Sequence, residues 1–186
     1  MAELRRRLVH TLGAAVPLAW LLAGVPWPWV EAALVGGLVL GGALECVRLG
    51  GAADWAVFDA LIREYERDNP AGYFLYVVGF AVTGLVFPPA IAAPAMLMLA
   101  FGDPLSGLLH RGGLGRKAPR VMGATFALCL VLAVTAGVPA LAAVLGALAA
   151  TAADALKPVV RGYVVDDNLT IPIAAAVAMW AGVALA

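Results

Sequence analysis

The sequence predicts an all-α fold: a polytopic transmembrane helix bundle of about seven spans, N-terminus cytoplasmic, plus one interfacial amphipathic helix. Three observations predict it. Of 186 residues, 63% are hydrophobic and 13% charged, against about 45–50% and about 25% in a soluble domain. The apolar residues lie in long, nearly uncharged runs, the pattern of bilayer spans and not of amphipathic stripes. Every Lys and Arg falls on one side of the bilayer once those runs are threaded alternately through it.

The spans run roughly over 8–25, 29–49, 71–87, 89–102, 120–136, 138–156 and 169–186. Arg5, Arg6 and Arg7 precede the first. Pro17, Trp20 and the run Val25-Pro26-Trp27-Pro28-Trp29, with no clean small-x-small cleavage site, mark it as a retained helix and not a secretory signal. The fourth span is short, as a tilted, kinked or re-entrant segment would be. The connections at 26–28, 88 and 137 face outward and carry no Lys or Arg. The inward side holds Arg48, Arg63, Arg67, Arg111, Arg116, Lys117, Arg120, Lys157 and Arg161 besides the N-terminal three. A wrong number of spans would scatter these charges over both faces.

Between the second and third spans, Trp55, Phe58, Leu61, Ile62 and Tyr65 recur at helical spacing, with Asp59, Arg63, Glu66 and Arg67 on the other face. Asp54 is the candidate N-cap, and Asn69-Pro70 ends the segment. Such a helix over 54–68 lies at the membrane surface. It either packs beneath the bundle or borders a path for a lipid, and amphipathicity does not separate the two. No repeat or linker divides residues 1–186, so the chain reads as a single integral membrane domain. A net charge of zero argues against nucleic acid as a partner. Cys46 and Cys129 sit in apolar stretches without a CxxC or Cys/His pattern and read as small buried hydrophobes.

Carboxylates near a bilayer are expensive, so each calls for a partner or a function. Glu45 has Arg48 three residues on, a local ion pair. Asp154 and Lys157 repeat that spacing, with Asp154 deeper in its span. In Phe101-Gly102-Asp103-Pro104 the acid ends an apolar helix at the cytoplasmic surface. There it is placed either to hold a hard divalent cation such as magnesium or simply to end the helix in a turn. Gly102 leaves room for close backbone approach. Next comes His110-Arg111-Gly112-Gly113-Leu114-Gly115-Arg116-Lys117. Its N–H groups and cations suit a polyphosphate, although its composition also fits a plain positive-inside loop, and it is no P-loop. The last cluster is Asp166-Asp167-Asn168-Leu169-Thr170-Ile171-Pro172. Two adjacent carboxylates repel unless a cation is present, and a helix cap needs only one. Asp103, Asp166 and Asp167 are therefore the candidate metal ligands. Together with Asn168 they are also the candidate catalytic residues. All these segments share the cytoplasmic face.

The ordered set resembles the CTP-dependent polyprenol kinase family, which includes dolichol kinase, phytol kinase and CTP-dependent diacylglycerol kinase. Arg6-Arg7-Leu8-Val9-His10 is similar to the family's Arg-Lys-x-x-His before its first span. Phe101-Gly102-Asp103-Pro104 resembles its Gly-Asp motif, with the basic loop Arg111 to Lys117 following. Asp154 falls where the family often has Glu, and Asp166 to Pro172 resembles its Asp-Asp-Asn-Leu-Thr-x-Pro motif. The family's Glu-Gly-Ser is Met122-Gly123-Ala124 in this chain, and His110 stands where Gly is usual.

The resemblance implies a multi-pass membrane enzyme, in the plasma membrane if the source is prokaryotic, with its site facing the cytoplasm. It would transfer the γ-phosphate of CTP to a long-chain isoprenoid alcohol with Mg2+ or another divalent cation. The contacts to the nucleotide would come from Arg7, His10, Gly102, Arg111, Gly112, Gly115, Arg116 and Lys117. The alternatives are a CDP-lipid synthase, which joins CTP to a lipid phosphate, and a non-catalytic transporter or scaffold. A transporter places polar groups near the middle of several spans; here they gather at one edge.

Overall fold

The computed structural model describes residues 7–8, 10–51, 62, 66–110, 117–156, 159–160 and 163–186. Among them are seven helices: α1 (Ala15–Ala23), α2 (Trp27–Leu49), α3 (Gly72–Val86), α4 (Pro89–Leu109), α5 (Pro119–Thr135), α6 (Ala140–Ala155) and α7 (Asp167–Ala184). α2, α4 and α7 are each long and apolar enough to cross a membrane. The chain is thus a helical membrane protein, and one helix occupies each of the seven apolar runs of the sequence. Among the described residues the one departure from all-α is a two-residue antiparallel ladder between α6 and α7, Val159–Val160 with Tyr163–Val164. The amphipathic segment over 54–68 lies mostly outside the described residues, as do Arg111, Gly112, Gly115, Arg116 and Lys157.

Proline and glycine punctuate the bundle. α1 stops at Gly24, which adopts φ +67°, and Val25 N–H donates back to the Ala19 carbonyl at 3.0 Å. A residue with a side chain is strained in that left-handed conformation. Pro89 and Pro119 occupy the first position of α4 and α5, where a missing N–H costs nothing.

α4 is the axis of the fold. It packs against α1, α3, α5, α6 and α7, and every residue from Ile91 to Ala100 is buried. A helix that is apolar on all sides belongs inside a bundle. α2 is the opposite case. Val30, Leu34, Gly41 and Glu45 face α3 and its neighbours, while Val35, Val39 and Leu40 are exposed, as a lipid-facing surface is. α6 and α7 approach most closely through small residues. A Cβ on Gly182 would come within 2.6 Å of Ala142 Cα, and one on Gly146 would meet Met179. Van der Waals packing between small residues is what drives helix association in a membrane.

The fourth span corrects the sequence reading. It does not end at 102; the helix continues to Leu109, and Asp103 lies within it. Gly, Asp and Pro are turn residues in isolation. Pro104 forfeits its bond to the Ala100 carbonyl and its ring crowds that turn, the ordinary cost of a proline inside a helix. Gly102 and Pro104 are both buried against neighbouring helices, and tertiary packing outweighs the local preference.

The polar residues collect at one end. α1, α3, α5 and α7 begin there, and α2, α4 and α6 end there, so Asp103, Asp154 and Asp167 reach the same level from three helices. At the other end, Trp27 Nε1 donates to the Gly84 carbonyl at 3.3 Å, and Phe87 lies edge-on to Trp180.

Candidate metal centre

Asp103 projects from the second half of α4, Asp154 from the last turn of α6 and Asp167 from the first turn of α7. One carboxylate oxygen from each lies within 4.8 Å of the others. Asp154 and Asp167 are buried, and Asp103 is partly exposed. Carboxylates at this separation repel one another strongly away from water, and a divalent cation offsets that cost. The fit is chemically sound. Oxygens on opposite sides of a magnesium or calcium ion are about 4–5 Å apart, given metal–oxygen distances of about 2.0–2.6 Å.

Around this triad the neighbours are specific. His10 Nδ1 is 3.2 Å from Asp103 Oδ2. The ring of Tyr76 stands edge-on to His10 at 4.5 Å, and its hydroxyl donates to the His10 carbonyl at 3.0 Å. His10 Nε2 is buried and has no hydrogen-bond partner among the described residues. Arg7 Nη2 donates to the Gly107 carbonyl at 2.9 Å, near the end of α4. A Cβ on Gly107 would sit 3.1 Å from that Nη2, a tight contact that the guanidinium would have to yield to. Lys117 Nζ donates to Asp154 Oδ1 at 2.6 Å and to Ser106 Oγ at 2.8 Å, while Ser106 Oγ donates to Asp154 Oδ2 at 2.7 Å.

The double-acid motif divides. Asp167 joins the triad, and Asp166 caps α7, its Oδ1 accepting from Asn168 N–H at 2.9 Å. Asn168 Nδ2 donates to the Gly72 carbonyl at 3.2 Å, tying the start of α7 to the start of α3. Gly79 serves the same seam. A Cβ there would sit 2.6 Å from the Asn168 carbonyl oxygen, the group that Pro172, lacking an N–H, cannot satisfy. Gly102, expected beside a phosphate, is buried where α4 meets α5, 3.3 Å from Cys129 Sγ at its would-be Cβ.

The structure therefore brings together Arg7, His10, Asp103, Lys117 and Asp167 from the sequence-derived set. It adds Asp154, Ser106, Gly107 and Tyr76. Ser106 is three residues after Asp103, on the same side of a helix. That signal is hidden when 103–110 is read as a loop. Asp154 has its defined partners far along the chain, in Lys117 and Ser106.

Fold and site together define a helical membrane protein with a carboxylate-rich polar centre at one end of its bundle. Comparison with family models, curated proteins and solved structures returns no match.

Proposed function

We propose that this protein is a membrane lipid kinase, transferring the γ-phosphate of CTP to the hydroxyl of a long-chain isoprenoid alcohol. The observation that carries the reading is the convergence of Asp103, Asp154 and Asp167 from three helices. Lys117, which follows the glycine-rich basic loop in sequence, donates to that centre at Asp154. The resemblance of the motifs supplies the choice of CTP and alcohol. Phosphoryl transfer asks mainly for positioning and charge neutralisation, and this arrangement suits both.

Asp103, Asp154 and Asp167 would hold a divalent cation, which when bound would neutralise charge on the transferring phosphate. Lys117 stands at the triad, and Arg111 and Arg116 precede it in sequence, so the three cations would gather the remaining phosphate charge. His10 would receive or orient the acceptor hydroxyl, since its ring is held between Asp103 and Tyr76. The hydroxyl proton leaves as the new oxygen–phosphorus bond forms, and CDP departs with the electrons of the broken one. Exposed Leu8 and Leu12 flank His10 in sequence, which suits an acceptor arriving from the bilayer.

The test is purified protein with γ-labelled CTP and a panel of lipid alcohols. Label should pass to the lipid, with CTP far better than ATP. Pyrophosphate release with CMP on the lipid would instead establish a CDP-lipid synthase.

A multi-pass topology with the polar end in the cytoplasm belongs to the same proposal, supported by the one-sided Lys and Arg distribution. On a background lacking Cys46 and Cys129, a cysteine at position 113 or 162 should be labelled only from the cytoplasm, and one at 137 only from outside. Labelling of 113 and 137 from one side overturns the seven-span topology.

A further inference from the structure

The partners of Lys117 are unusual for a residue expected at a phosphate. Its side chain is 9% exposed and that of Asp154 1% exposed. With Ser106 they close a three-membered ring, in which both oxygens of Asp154 already accept a donor from the chain. Asp154 is also one of the three carboxylates whose oxygens converge within 4.8 Å. One of its oxygens would therefore be shared between a donor of the chain and an added cation. Two positive charges sharing one buried carboxylate repel each other, so the two occupancies compete.

Lys117 is also placed to leave. It stands in the short non-helical stretch before Pro119, so no helical hydrogen bond holds its backbone. It directly follows the basic loop 111–116 in sequence. Its four-carbon stem lets the ammonium swing without the chain moving.

We propose that Lys117 is a resident counter-ion of the acidic centre. It neutralises Asp154 until a divalent cation displaces it, and the freed ammonium then turns toward the phosphates of the nucleotide. Metal arrival is thereby coupled to completion of the phosphate site, and Asp154 is never left without a positive partner. The inference rests on the reading of Asp103, Asp154 and Asp167 as a metal centre.

Two measurements on the full-length protein in lipid nanodiscs test it, neither depending on turnover. The first uses the wild-type chain, whose only lysines are Lys117 and Lys157. A water-soluble acylating reagent is applied with and without Mg2+, in the absence of nucleotide, and each lysine is followed by mass spectrometry. Mg2+ should raise acylation of Lys117 relative to Lys157 by at least about fivefold, the lower end of ordinary coupling between two ligands. The second measures Mn2+ binding by the resonance signal of the free ion. The Lys117→Met variant should bind Mn2+ about 5–150-fold more tightly than wild type. Asp103→Asn and Asp167→Asn should bind it more weakly.

If Mn2+ binding depends on Asp103 and Asp167 but Mg2+ leaves Lys117 reactivity unchanged, the exchange is overturned and the metal centre stands. Weaker Mn2+ binding in Lys117→Met has the same meaning. If neither wild type nor Lys117→Met binds Mn2+, the metal centre falls and the exchange with it. Should Lys117→Met fail to fold, the acylation of the wild-type chain decides alone.

Discussion

Two buried polar clusters stand at the same end of this bundle, built from the same residue types and arranged oppositely. Around Glu45 both carboxylate oxygens are matched by donors. Its Oε1 accepts from Arg48 Nη2 and Ala71 N–H, both at 2.7 Å, and its Oε2 from Arg48 Nε at 2.9 Å and Tyr73 hydroxyl at 2.5 Å. Arg48 spends its remaining donors on the carbonyls of Glu66, Arg67 and Asn69. The pair thus ties the end of α2 to the chain entering α3. At Asp103, Asp154 and Asp167, by contrast, carboxylates from three helices are turned toward one another. A charge that meets fixed donors of opposite sign holds a fold together. Charges of one sign driven together cost stability, and such a cost is retained where it serves chemistry.

The sharpest way to break this contrast is to neutralise the triad one member at a time. Asp103→Asn, Asp154→Asn and Asp167→Asn keep side-chain size and remove negative charge. Each should lower turnover of labelled CTP by about 100-fold or more, roughly 3 kcal/mol of transition-state stabilisation. Thermal unfolding should show the bundle intact in Asp103→Asn and Asp167→Asn, because removing one of several like charges relieves repulsion, whereas Asp154→Asn leaves the buried Lys117 ammonium without its counter-charge and should lower the midpoint. Near wild-type turnover in all three variants would remove the triad from the chemistry.

Glu45→Gln probes the other cluster and should invert the pattern. Glutamine retains one acceptor oxygen but replaces a charged acceptor facing Arg48 and Tyr73 with an amide. The expected loss is about 1–3 kcal/mol of stability, seen as a lower unfolding midpoint, with turnover per folded molecule little changed. A variant as stable as wild type but inactive would transfer Glu45 from architecture to the site.

The contrast also marks what a sequence can carry. Glu45–Arg48 is legible because its partners are three residues apart on one helix. The seven apolar runs are legible because the bilayer demands long uncharged stretches whatever packs beside them. Asp154 is only half legible: its depth in a span points to function, but its defined partner is Lys117, 37 residues away. Local spacing suggests Lys157 instead. Likewise the helix through Gly102, Asp103 and Pro104 depends on α5 packing against Gly102, a contact no local window contains. Recognition of Asp-Asp-Asn as a unit has the same limit. Motif resemblance says that the segment matters, and only the direction of each side chain divides its roles.

That division supplies the smallest predicted effect, and the most discriminating. Asp166 and Asp167 are adjacent, both acidic and both buried, at 4% and 2% exposure, so composition and burial do not tell them apart. Geometry does, since Asp166 accepts the Asn168 N–H at the start of α7 and Asp167 faces Asp103 and Asp154. Asparagine is as good an N-cap as aspartate, and the lost charge near a helix N-terminus costs about 0.3–1 kcal/mol. Asp166→Asn should therefore shift the unfolding midpoint slightly and leave turnover close to wild type, two orders of magnitude above Asp167→Asn. Asp166→Ala, which removes the cap altogether, should cost about 1 kcal/mol of stability, with turnover following the folded fraction. If Asp166→Asn instead loses activity as deeply as Asp167→Asn while remaining folded, the two acids act as one unit. The cation would then be held by the pair, and the capping bond would describe a resting arrangement that gives way when the ion binds.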